Sequence, residues 1–348
     1  MDITIKVGRE GDKECWNDIV ENSPQGTIFH TWKFLKIMEK HTNSKLYLII
    51  GMRGTTPIGI YPLFFQEKKF LRLVFSPPPH CAALYLGPVI IDYDKLKQSK
   101  KESIFTSFQK KVDEFISSKL KADYVLISTS PGLLDSRPFK WTGYNVRPSY
   151  SYLIDLSNGA DYVWKQLTKH LRQSINKTKK EGVSIEEGSK EDLEAIYNLL
   201  SERYKEQERI VTVPKRYLFD LYDSFHPENL KIFVAKYKGE IRTGTIDIWY
   251  KDKVTAWIGS TKTYLRGISP NDLLFWETIR KGCEHGFKQY EIIGAAGNRR
   301  LHSYYSKCNP EPLLWFSARK YSSFVPKLLE ASYIKILKPA YGKIKSKR

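Results

Sequence analysis

Between Lys231 and Tyr250, apolar and polar side chains alternate on either side of Gly239, the period-two signature of two strands joined by a turn. Thr255–Ser260 supplies a third strand, after which Arg266-Gly-Ile-Ser-Pro-Asn-Asp272 breaks the pattern. Leu273, Leu274, Ile279 and Cys283 then recur at helical spacing until Gly286 stops the helix. Tyr290–Ile293 reads as a fourth strand, followed by an irregular loop that carries Lys307. A helix that starts between two strands aims its free N–H groups and positive dipole end at whatever lies above the sheet. The turn from Arg266 to Asn271 is therefore expected to receive an anionic group.

The first half of the chain repeats part of this plan. A short strand is predicted at Ile3–Val7, helices near Asp12–Glu21 and Thr31–His41, and a hairpin over Leu46–Phe65. Strand-like pieces follow, then a helix from Lys101 to Leu120 and a strand at Asp123–Ser128. Beyond Pro148 come a strand at Ser151–Leu156 and helices near Tyr162–Lys180 and Glu191–Glu208. The hairpins echo each other, Gly54 and Gly59 in the first standing where Gly239 and Gly244 stand in the second. Glycine at such positions suits a turn and then a bulge or a close backbone approach. The expectation is an α/β protein of two similar domains, 1–148 and 149–320, each a mixed, mostly antiparallel sheet flanked by helices, with a basic tail at 321–348.

Composition narrows the function classes. With 348 residues, 41% hydrophobic and 14% aromatic, the chain is long enough for two cores and too apolar to be disordered. No apolar stretch is long enough to span a bilayer, and Met1-Asp-Ile-Thr-Ile-Lys6 does not read as a signal peptide, which places the protein in the cytoplasm. Cys15, Cys81, Cys283 and Cys308 are widely spaced, and neither they nor the histidines fall into a metal or disulfide pattern, so no metal is expected. The formal charge of +19 favours an anionic partner, or else reflects lysine usage and solubility. Basic residues concentrate in Lys165–Lys180, which includes Arg172, and in Lys335–Arg348, either a solubilising tail or a peripheral contact with the inner face of an anionic membrane.

The order Gly239, Gly244, strand, Arg266-Gly267-x-Ser269-x-Asn271, helix with Cys283-x-x-Gly286, strand resembles the GNAT acyltransferase superfamily. Nearly the whole chain resembles its Fem-type branch of peptidoglycan-bridge aminoacyltransferases and FemAB-like proteins. The matching segments are Ile28–Trp32, Tyr85–Val89, Tyr152–Ser157, Lys169–Lys177 and Leu301–Glu311. The resemblance implies two GNAT-like domains and an N-acyltransferase for cell-envelope biogenesis. It would move an acyl or aminoacyl group to an amine of a sugar, peptide or envelope precursor. No tightly bound cofactor is implied; acyl-CoA or aminoacyl-tRNA would be the co-substrate. In the family the turn's amides hold the CoA pyrophosphate, which assigns Arg266, Gly267, Ser269 and Asn271 to the donor, although Ser269 and Asn271 replace glycines and Pro270 has no N–H. A non-catalytic module for RNA or anionic membrane on a degenerate GNAT fold is the alternative.

For the chemistry, the resemblance implies that Lys307 stabilises the oxyanion of acyl transfer. Tyr304 and Tyr305 follow each other just before it, Tyr305 being the candidate proton donor. Asp247 alternates with Ile246 and Ile248 on a central strand, as a base for the amine or as the ion-pair partner of Arg242. Arg172, Arg216, Tyr217 and Arg299 are the candidate contacts to an anionic substrate, Arg299 following the small-residue loop Gly294–Gly297.

Overall fold

The computed structural model describes residues 2–68, 71–261, 265–294 and 299–322; the basic tail from 323 and the loop residues 295–298 lie outside the described residues. The chain forms two compact units, Met1–Ser149 joined by the segment from Leu314, and Tyr150–Leu313. Both are α/β and mostly antiparallel.

Unit 1 contains β1 (Thr4–Val7), α1 (Lys13–Asn22), α2 (Trp32–Thr42), β2 (Lys45–Arg53), β3 (Thr56–Lys68), β4 (Leu71–Ser76), β5 (Val89–Ile90), α3 (Gln98–Phe115), β6 (Tyr124–Ser128) and α4 (Arg137–Trp141). Its sheet runs β1-β2-β3-β4-β6, antiparallel except for the parallel pair β4 and β6, with β5 added on β3. Phe105 and Phe108 of α3 pack on Tyr61, Leu63 and Val74 of the sheet, all nearly without exposure. Each such side chain contributes about 1.5–3 kcal/mol by leaving water.

β7 (Asn145–Asp155) begins in unit 1 and enters unit 2 at Tyr150; unit 2 continues with α5 (Gly159–Gln166), α6 (Lys169–Lys180), β8 (Ser184–Glu187), α7 (Lys190–Glu206) and α8 (Lys215–Phe225). Then follow β9 (Leu230–Tyr237), β10 (Glu240–Tyr250), β11 (Lys253–Thr261), α9 (Pro270–Glu284), β12 (Gln289–Ile292), α10 (Arg299–Tyr305) and β13 (Glu311–Tyr321). The sheet order is β8-β9-β10-β11-β12-β7, again with one parallel pair, β11 and β12. Residues 317–321 of β13 pair with β6, so this strand completes the sheet of unit 1, whereas the sequence reading runs the second domain to 320. The two sheets therefore share one plan: three antiparallel steps, a parallel step closed by a helix, and a final antiparallel strand.

Three further differences from the sequence reading have local causes. The helix expected over 162–180 is two, because Leu167 and Thr168 turn extended and Thr168 caps α6. β8, α8 and β13 were not expected. The glycine echo holds at the turns, where Gly54 and Gly239 have φ of +60° and +79°. It fails at the second glycine. A Cβ on Gly59 would meet Val89 O at 2.4 Å and Phe108 of α3, whereas one on Gly244 would meet Ile196 of α7 at 2.4 Å. Each hairpin carries a bulge in its second strand, at Ile58 in β3 and at Arg242 in β10, and the two glycines follow it by one and two residues. With a side-chain period of two, that single residue reverses the face.

Candidate active site

β10 is buried on both sides, and its row facing α9 holds Thr243, Thr245, Asp247 and Trp249. Asp247 has no solvent exposure. Its Oδ1 accepts a hydrogen bond from Thr245 Oγ1 at 2.6 Å, and its Oδ2 has no hydrogen-bond partner among the described residues. Loss of water pushes this carboxyl up to about 7, with the Thr245 bond opposing the shift in part. No cation among the described residues pairs with it. Arg242 pairs with Glu240 at 2.9 Å, so the ion pair weighed from the sequence does not form. Lys231, opposite Asp247 in the ladder, directs its ammonium to Glu187 at 3.5 Å and over the Trp249 ring at 5.1 Å. A carboxyl with an ordinary pKa would be ionised and costly here; this one is held near half-ionisation at neutral pH, where a general base is most effective.

The turn before α9 is built for closure. Gly267 takes φ of +80°, and Leu265 bridges Ile268. Ser269 N donates to Thr178 Oγ1 of α6 at 2.9 Å, Pro270 has no N–H, and Asp272 N donates to Ser269 O at 3.0 Å and to Ser269 Oγ at 3.3 Å. Of the turn's amides, which the family resemblance would give to a pyrophosphate, that of Ser269 is thus already paired inside the protein, as is that of Asp272 just beyond the turn. Arg266 is exposed, and Lys177 Nζ lies 3.0 Å from the point a Cβ on Gly267 would occupy. Asn271 turns inward: its Oδ1 accepts from Thr243 Oγ1 at 3.4 Å, and its Nδ2 donates to Tyr304 Oη at 2.8 Å.

Tyr304 is the centre of a polar network that the sequence did not reveal. Its hydroxyl donates to Asp272 Oδ1 at 2.8 Å, while Ser174 of α6 donates to Asp272 Oδ2 at 2.6 Å. Lys307, in the short 3-10 turn Ser306–Cys308 rather than an irregular loop, is half-buried and places Nζ 5.3 Å from the Tyr304 ring centroid. The ring face holds the ammonium without neutralising it. Tyr305, the candidate donor, instead packs on Phe275 at 5.6 Å between ring centroids. Burial pushes its hydroxyl up to about 12.

The remaining candidates do not join this group. Tyr217 is fully buried in α8 and Arg216 is exposed on the same helix, which packs with α7 against the face of the sheet that Gly244 contacts. Arg172 Nη1 donates to the carbonyls of Trp164 and Lys165 at 3.4 and 3.2 Å and so closes the end of α5. Arg299 is exposed at the start of α10. Asp247, Asn271, Ser269 and Lys307 thus lie on the α9 side of unit 2, together with Tyr304, which the sequence offered beside Tyr305, and the unforeseen Thr245, Asp272 and Ser174. A threonine at every second position before Asp247 was the one readable signal.

Residues 165–302 match the GNAT acetyltransferase domain family. Among solved structures the chain is similar to FemX, with 13% identity, a TM-score of 0.69, and 91% of this chain and 97% of that one covered. It is also similar to the C-terminal domain of a putative lysylphosphatidylglycerol synthetase from Agrobacterium fabrum, with 13% identity, a TM-score of 0.57 and coverage of 93% and 96%. A tandem GNAT protein from the clavulanic acid biosynthesis pathway gives 9% identity, a TM-score of 0.56 and coverage of 92% and 98%. Comparison with curated protein sequences finds no match. Residues 165–302 thus match a GNAT acetyltransferase domain by sequence, and across nearly its whole length the chain has the fold seen in FemX and in the tandem GNAT protein.

Proposed function

We propose that unit 2 is an N-acyltransferase that moves an aminoacyl group from an RNA ester to an amine on an envelope precursor. The observation that carries this reading is Asp247: a buried carboxyl, bonded among the described residues to Thr245 alone and pushed up to about 7, on the row that runs to Asn271 and α10. As the acceptor nitrogen attacks the ester carbonyl, its proton passes to Thr245 Oγ1, whose own proton goes to Asp247 Oδ1. Thr245 is half-buried and gives the acceptor a route to a carboxyl with no exposure of its own. Lys307 stabilises the oxyanion; collapse of the intermediate breaks the ester bond as the amide forms, and the leaving RNA 3′ oxygen takes up the proton returned from Asp247 through Thr245. Tyr304 holds the ammonium of Lys307 in place.

The donor follows from the turn. Acyl-CoA would have to bind without the Ser269 amide, which Thr178 occupies, and without a donor at Pro270. An RNA ester does not depend on them. The similarity to a structure named for lysylphosphatidylglycerol synthesis, whose product joins an amino acid to a membrane component, supports an aminoacyl donor and an envelope acceptor. The test offers radiolabelled aminoacyl-tRNA and acetyl-CoA in turn to the full chain with an amino sugar and a lysine-bearing peptide. Amide-linked label should come from aminoacyl-tRNA and be lost with Asp247→Asn. Transfer from acetyl-CoA alone, or undiminished transfer by Asp247→Asn, would overturn the reading.

A further inference from the structure

We propose that the outer face of α6 is the docking surface for the phosphodiester backbone of the RNA donor, and this rests on the aminoacyl-RNA reading above. The helix carries no acidic residue between Lys169 and Lys180. Leu171, Ile175 and Thr178 are buried, while Lys169, Gln173, Asn176, Lys177 and Lys180 are exposed and share one stripe at the helical period. The lysines of this stripe have no ion-pair partner among the described residues, unlike Lys190, Lys215 and Lys236 in the same unit, which pair with Asp223, Glu194 and Glu186. Four cations left to solvent on so short a helix, counting Lys179, repel one another and lower the stability of the bare protein by a small amount each. A polyanion removes that repulsion.

Position ties this face to the chemistry. α6 is fastened to the start of α9 by Thr178, which accepts from Ser269 N, and by Ser174, which donates to Asp272. At the same end Lys177 stands beside Gly267, next to exposed Arg266. The helix is roughly 18 Å long at 1.5 Å per residue, enough to follow several phosphates of one strand, with the reactive 3′ end directed to the site. Gln173 and Asn176 between the lysines supply amides that bond sugar hydroxyls and phosphate oxygens. The helix shows no exposed large apolar side chain, which a membrane-seating helix needs, and this favours RNA over a lipid surface.

The experiment measures binding of a fluorescein-labelled, uncharged RNA minihelix ending in CCA to the full chain across a salt series. Lys169→Gln, Lys177→Gln and Lys180→Gln combined should weaken binding at least about tenfold near physiological salt. The slope of log K against log salt should fall by about 3, roughly one unit per lost phosphate contact. The control combines Lys97→Gln, Lys100→Gln and Lys110→Gln, exposed on and beside α3 of unit 1, and should change affinity less than about twofold. Asp247→Asn should bind RNA like the parent, so a loss of transfer there is separable from a loss of docking. Equal weakening by the control set, unchanged binding by the α6 set, or binding to phosphatidylglycerol vesicles without binding to RNA would each overturn the proposal. A wild-type chain that binds no RNA yet transfers from acetyl-CoA would overturn docking and leave acyl transfer standing.

Discussion

Units 1 and 2 carry the same sheet plan and opposite chemistry. Counted from the bulged residues Ile58 and Arg242, Leu63 of β3 stands where Asp247 of β10 does, each five positions beyond its bulge. The row facing the crossover helix reads Thr243, Thr245, Asp247 in unit 2 and Gly59, Tyr61, Leu63 in unit 1. The parallel pairs differ as well. In unit 1, Leu86 continues the ladder beyond β4 by bridging Thr129, with Leu86 N donating to Ser128 O at 2.8 Å and Gly87 N to Ser76 Oγ at 3.0 Å. In unit 2, β12 pairs with β11 only as far as Ala256 and ends at Ile292, while β11 runs on to Thr261. A strand edge left without a partner among the described residues offers backbone groups to a ligand. The fold is thus kept by apolar rows in both units, and one row of three residues distinguishes the core of unit 1 from the candidate site of unit 2.

The comparison can be broken by moving the carboxyl. Leu63→Asp would bury an acid among Tyr61, Phe105 and Phe108 with no threonine at the position of Thr245, and should destabilise the protein by at least about 4 kcal/mol without creating activity. Chemical denaturation measures it. A folded, fully stable variant would show that the two rows differ less than their packing indicates. Next in size, Lys307→Ala should lower kcat about a hundredfold at unchanged Tm, because the ammonium acts on charge that develops only in the transition state. Equal turnover would remove Lys307 from the mechanism. The finest distinction lies between neighbouring tyrosines. Tyr304→Phe leaves Asp272 and Asn271 short of a partner and should cost about 1–3 kcal/mol, together with a fall in kcat through the loosened Lys307. Tyr305→Phe should cost less than about 0.5 kcal/mol and leave kcat intact. Indistinguishable stability and turnover in the two variants would contradict the assignment of the network to Tyr304.

Local patterns made much of this legible. The hairpin around Gly239, the strand at Thr255 and the helix from Leu273 to Gly286 rest on short-range periodicity, and the structure has them where the sequence puts them. α8 was also readable: Tyr217, Leu218, Leu221 and Phe225 are spaced for one helix face. What depends on distant partners was not readable. The bulge that turns Gly244 toward α7 shows only in the ladder, and β13 finds β6 across an intervening unit. Tyr304 and Tyr305 project about 100° apart on one helix, so only the neighbours decide which meets Asp272.

The central claim is that Asp247 is a base kept near neutrality by burial, and its ionisation can be read with and without substrate. Tyr290 and Tyr305 face it and stay protonated, since burial raises both, and Lys231 opposite is engaged with Glu187 and Trp249, so the titration near neutrality belongs to Asp247. Its folded pKa of about 7 lies above the ordinary aspartate value of 3.8, so the folded state binds the extra proton. Its contribution is therefore fully present below pH ~4 and lost as pH rises through ~7, a change on the order of 4 kcal/mol. The measurement is stability against pH for the wild type and Asp247→Asn, with kcat/KM for aminoacyl transfer followed over the same range. The account predicts that the variant gains relative stability from pH 4 to 8, and that the wild-type kcat/KM rises to a plateau with a midpoint near 7 that the variant lacks. Parallel stability curves, or the same midpoint in Asp247→Asn, would contradict it.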